Sequence, residues 1–147
     1  MPLERIIKEK TSADHLLYVS LKYTKTCDVI LNLIERWKIM IELSIDSMLQ
    51  KMKKKRIIAS IPVAPKMKVD VLRNALKKEP SIVQTLEIYE FFRKIPSLNK
   101  SKENEFRKNV CLKITLEGKE IKIDMDKLKE YSEMLERFIK FTKEYLS

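Results

Sequence analysis

A chain of 147 residues with 44% hydrophobic content can bury one sizeable core and is too short for two ordinary domains, so residues 1–147 read as a single domain. One Gly and five Pro exclude an all-β fold, which needs many tight turns, while abundant Leu, Ile, Lys, Glu and Met favour a mainly α helical bundle. With 35% charged residues and a net charge of +10, the composition resembles that of heat-adapted intracellular proteins.

No apolar run approaches the roughly 20 residues of a membrane span, since Glu35, Arg36 and Lys38 interrupt the richest stretch. Met-Pro-Leu-Glu-Arg has no signal-peptide apolar region, and Cys27 and Cys111 belong to no C-x-x-C motif. A cytoplasmic location, reduced thiols and no membrane partner are the expectations.

Residues 1–10 read as a charged lead-in of about one helical turn that frays or docks late. Thr11 or Ser12 then caps a very long helix, from Ser12 to Lys53. Leu16, Ser20, Tyr23, Cys27, Ile30, Ile34, Trp37, Ile41, Ser44 and Met48 recur there at steps of three and four, and neither Gly nor Pro interrupts them. Leu33, Met40 and Leu43 lie off this stripe, which predicts cover by other helices or by a second copy of the chain, a homodimer through the long helix. Tyr18, Lys22, Lys25, Asp28, Asn32 and Arg36 form a second line, either a solvated face or part of a binding groove.

The helix ends in the cations of 51–56, and 51–66 reads as a basic helix end followed by an extended crossover with Pro62 and Pro65. A short helix follows from about Met67 to Lys77, with Val69, Leu72 and Leu76 inward. Pro80 opens another that runs to about Lys94, with Ile82, Val83, Leu86, Tyr89, Phe92 and Ile95 apolar. Residues 97–102 look like a loop and 103–109 like a short helix. Period-two alternation at Leu112, Ile114, Leu116, Ile121 and Ile123 around Gly118 predicts a small β-hairpin near 111–123. Asp124 or Asp126 caps a final helix carrying Leu128, Tyr131, Leu135, Phe138, Thr142 and Tyr145, read as the antiparallel partner of the long one.

Catalytic and metal chemistry find little support. One His and two separated cysteines make no metal ligand set, a single Gly makes no phosphate-cradling loop, and no cofactor is expected. His15 reads as a surface histidine. A cysteine nucleophile would need a cation beside it, and Lys113 is the one candidate, for Cys111. Charge is more informative: ten Lys or Arg between Lys51 and Lys78 face one carboxylate, Asp70, so nearly all the net charge belongs to one segment. Lys53, Lys54, Lys55 and Arg56 can neutralise phosphates, but no aromatic residue lies among them to stack on bases.

Phe106-Arg107-Lys108-Asn109, a short β-like stretch, and then Ile121 to Tyr131 leading into an amphipathic helix together resemble the C-terminal half of HEPN domains. Those domains are small helical bundles whose first long helix pairs with the last. The resemblance implies an Arg, a polar neighbour and a His forming an RNA-cleaving or nucleotide-binding site, often completed across a homodimer. Counted from Arg107, the position of that His is Leu112, which cannot exchange protons with a 2′-hydroxyl.

The resemblance therefore implies binding without catalysis, with Arg107 on phosphate and Asn109 positioning it. A surface ion pair between Arg107 and Glu103 at helical spacing is the plainer alternative. Two readings follow. One is a non-catalytic, dimeric HEPN-like protein that binds RNA or a nucleotide-handling partner through Lys53, Lys54, Lys55, Arg56, Arg107 and Asn109, with Lys22, Lys25 and Asn32 as a second line. The other is a structural or adaptor homo-oligomer whose charge serves only solubility or an acidic partner.

Overall fold

The apolar stripe that reads as one helix from Ser12 to Lys53 is divided at Thr24, Lys25 and Thr26, and its two parts fold back on each other. The computed structural model describes residues 2–147, and Met1, the first residue of the predicted lead-in, lies outside them. Helix α1, Pro2–His15, continues through a π turn, Leu16–Ser20, into the short α2, Leu21–Tyr23. Thr24 and Thr26 are extended, as β-branched residues favour, and the Thr26 hydroxyl accepts the Val29 N–H at 3.3 Å to start α3, Cys27–Lys54. The predicted cap at Thr11 or Ser12 falls inside α1.

Residues 2–10 of the lead-in are helical and docked, as part of α1 and not as a single turn. Ile6 is fully buried, Lys10 pairs with Glu136 at 2.6 Å, and Glu9 lies 3.6 Å from Arg36 on α3. The π turn explains which face is buried: a wider turn brings residues four apart back onto one side, so Ala13, Leu17 and Leu21 face the core. Leu16 and Ser20 are half-buried instead, and Tyr23 is exposed.

The next helices are α4, Pro65–Ala75, α5, Pro80–Lys94, and α6, Met125–Leu146, with a 3-10 turn at Ile95–Ser97. Helix α5 and the Asp124 cap of α6, whose carboxylate accepts the Lys127 N–H at 2.8 Å, follow the sequence closely. Helix α4 begins earlier than expected, because Pro65 takes the first helical position.

Trp37 on α3, Phe92 on α5 and Tyr131 on α6 meet at centroid distances of 5.4 to 6.2 Å and join the three helices in one core. Trp37 meets Tyr131, and fourteen residues further along both helices Lys51 Nζ donates to the Tyr145 carbonyl at 2.6 Å. Helix α6 thus runs parallel to α3, not antiparallel. Its antiparallel neighbour is α1 with the π turn that continues it, where Lys10 meets Glu136 and Tyr18 meets Ser132.

Leu33 and Met40, expected to need a second copy, are buried within the single chain, while Leu43 stays half-buried. The predicted hairpin is β2, Cys111–Leu116, paired with β3, Lys119–Asp124. Its turn residues Glu117 and Gly118 both have positive φ, 52° and 77°, as a two-residue type I′ turn requires.

A third strand, β1, Asn99–Glu103, pairs antiparallel with β2 where the sequence reads as a loop, giving the order β1-β2-β3. Asn-Lys-Ser-Lys-Glu has no apolar alternation, so its strand conformation comes from pairing with β2. Its lysines suit an exposed edge. Where a helix is predicted over 103–109, Glu103 ends β1 and the rest is the irregular connection to β2.

Candidate functional site

The β1–β2 connection is built from two turns, Arg107 N–H to the Asn104 carbonyl at 3.1 Å and Val110 N–H to the Arg107 carbonyl at 3.0 Å. Asn104 and Phe106 are left-handed, with φ of 54° and 66°. For Asn that is ordinary. For a bulky aromatic residue it costs free energy and must be held by its surroundings.

What holds it is the break between α2 and α3. The Phe106 N–H donates to the Lys25 carbonyl at 2.6 Å, and the Glu105 carboxylate accepts the Cys27 N–H at 3.0 Å. Glu105 thereby satisfies a donor of the first turn of α3 and puts negative charge at its positive end. Lys102 adds a pair with Asp28 at 3.0 Å.

Two groups of residues distant in sequence therefore lie together. Lys22 and Lys25 flank Tyr23, with Lys22 Nζ 5.9 Å from the Tyr23 ring centroid and Lys25 Nζ donating to the Lys22 carbonyl at 2.7 Å. Across the junction stand Phe106, Arg107 and Lys108. Tyr23 is 78% and Phe106 75% exposed, and the backbone bond from Phe106 to Lys25 joins the two segments that carry these rings and the cations Lys22, Lys25, Arg107 and Lys108.

Arg107 is not paired with Glu103, which binds Lys113 at 2.5 Å. Asn109 uses its carbonyl to accept from the Asn104 amide at 3.4 Å, and its side chain is exposed on the same loop. Asn32 is exposed on the second turn of α3. The two aromatic rings are what sequence reasoning missed. Phe106 sits alone among the charged and polar residues 99–109, and that was the available signal.

Lys53, Lys54, Lys55 and Arg56 do not join this region. They close the other end of α3, which at about 1.5 Å per residue is roughly 40 Å long. The crossover does double back, since Lys68 pairs with Asp46 at 2.8 Å and Arg73 with Glu90 at 2.5 Å. Those pairs, with Lys51 on the carbonyls of Tyr145 and Ser147, engage part of the segment's charge. The four-cation cluster and Lys66 stay exposed.

Nothing in this region is arranged as a nucleophile. Burial first, and then the Glu105 charge, pushes the Cys27 thiol up, and burial followed by Asp124 and Glu103 does the same to Cys111. Cys27 Sγ donates to the Cys111 carbonyl at 3.4 Å, and Lys113 is engaged by Glu103 and Glu120. His15 is exposed on α1, and Leu112 is fully buried. Among the described residues, no group of three or more His, Cys, Asp or Glu is placed to hold a metal ion. No protein family, curated protein or solved structure matches this chain.

Proposed function

We propose that the chain binds single-stranded RNA, without a catalytic step of its own, across the junction of the α2–α3 break and the β1–β2 loop. The observation that carries the reading is Phe106: a bulky, exposed ring held in a left-handed conformation by a backbone hydrogen bond to Lys25. Strain of this kind persists where the surroundings enforce it, and it presents the ring beside Arg107, Lys108, Lys22 and Lys25. Cations that follow a phosphate backbone and aromatic faces that accept unpaired bases are the two components of a single-strand binding surface. Kinship with HEPN domains would suit this reading, which rests on the junction and not on that kinship.

Anisotropy titration of a labelled single-stranded RNA tests it. Phe106→Ala is expected to weaken binding by about 5- to 100-fold, the usual range for losing one stacked base. Arg107→Ala should lower the slope of log affinity against log salt by about 0.7. If both variants keep the native melting temperature and bind as the native chain does, the adaptor reading replaces this one.

A further inference from the structure

The opposite end of the molecule has a different chemistry. Helix α3 closes there in Lys53, Lys54, Lys55 and Arg56, and the crossover leads through Ile57 and Val63 into the first turn of α4, with Lys66 and Met67. Ile58 and Ile61 turn inward against the core. Ile57, Val63 and Met67 do not: they are 57%, 92% and 58% exposed. No Asp or Glu occurs between Asp46 and Asp70, Ile57 directly follows the cation cluster, and the Lys68–Asp46 pair fastens the start of α4 against α3.

We infer that this end docks onto an anionic lipid surface, with Val63 and Met67 entering the headgroup boundary while Lys53, Lys54, Lys55, Arg56 and Lys66 neutralise lipid phosphates and carboxylates. Three observations select that partner. The exposed apolar side chains, Ile57 and Val63 on the crossover and Met67 on the first turn of α4, include no aromatic ring, so they offer nothing for a base to stack on. A chain segment rich in Lys and Arg and without a carboxylate from 47 to 69 complements the negative potential of a leaflet rich in acidic lipids. Apolar residues beside a basic rim are the combination by which a peripheral protein adds apolar burial to charge attraction. No helix among the described residues is long and apolar enough to cross a membrane, so the contact is peripheral, and it departs from the expectation of no membrane partner. It is independent of the RNA surface, which lies at the other end of α3.

Cosedimentation with vesicles tests it at about 0.15 M salt, comparing phosphatidylcholine alone with phosphatidylcholine containing about 30 mol% phosphatidylserine. The native chain should partition at least about ten-fold better onto the anionic vesicles. Two variants should each lose most of that binding while keeping their circular dichroism: Val63→Ser with Met67→Ser, which should also keep its RNA affinity, and the four Gln substitutions at 53–56. Tryptophan emission of Val63→Trp should shift to the blue on anionic vesicles, reporting entry of that side chain. Partition unaffected by the two Ser substitutions, absence of the blue shift, or equally tight binding to a soluble polyglutamate would overturn the inference in favour of charge attraction or an acidic protein partner.

Discussion

Tyr131 is a residue whose burial sets a pH limit on the fold. It is 6% exposed between Trp37 and Phe92, and burial first, with a smaller contribution from Glu130, pushes its hydroxyl up to about 12. Because the folded value lies above the unfolded value near 10, the neutral form is favoured in the core. The stability it contributes is complete below about pH 10 and is lost as pH rises through about 12. Alkaline unfolding followed by circular dichroism should therefore steepen in that window. Tyr131→Phe should remove on the order of 2 kcal/mol of the loss while changing stability at pH 7 little. Tyr89 is also pushed up, by burial and by its hydrogen bond to Glu42 at 2.8 Å, so the variant should delay alkaline unfolding without abolishing it.

At the scale of the element, α3 shows how a helix end can be both well bonded and strained. Its C-terminus is closed by the Arg56 N–H on the Lys53 carbonyl at 3.0 Å and the Ile57 N–H on the Met52 carbonyl at 2.8 Å, the paired bonds of a Schellman motif. The left-handed position, with φ of 61°, is Arg56, where Gly is usual. Arg56→Gly is expected to stabilise the fold by about 1 kcal/mol, raising the melting temperature by roughly 2 to 4 °C in calorimetry. Arginine at a position that costs stability is consistent with a use for its charge at that end of the molecule. The N-terminus of α3 was partly legible in advance, because Thr26 followed by Asp28 is a cap pattern. Continuous apolar spacing on either side of Thr24–Thr26 hid it.

For the whole molecule, the proposal of a homodimer changes its basis. Leu33 and Met40 are buried by the chain's own fold, so the proposal now rests on Ile39 and Leu43, half-buried beside a cleft bordered by Glu42, Asp46, Lys68 and Tyr89. Sedimentation at micromolar concentration is expected to show a species of twice the 17.5 kDa chain mass, and Leu43→Lys should halve it. A 17.5 kDa species at every concentration would remove the proposal. Nearest neighbours along the chain were enough to read the mainly α class, α5 between Pro80 and Lys94, a cap for α6 at Asp124 or Asp126, and the hairpin turn at Gly118. Each follows from side-chain period, proline geometry or a capping group within a few residues. Long-range packing was needed to show that α1 folds back along α3, that α6 runs parallel to α3, that polar β1 becomes a strand, and that Phe106 meets Lys25. Those outcomes depend on which surfaces meet after the chain has turned. Periodicity records only that a face is apolar, and the same face can be covered from either direction.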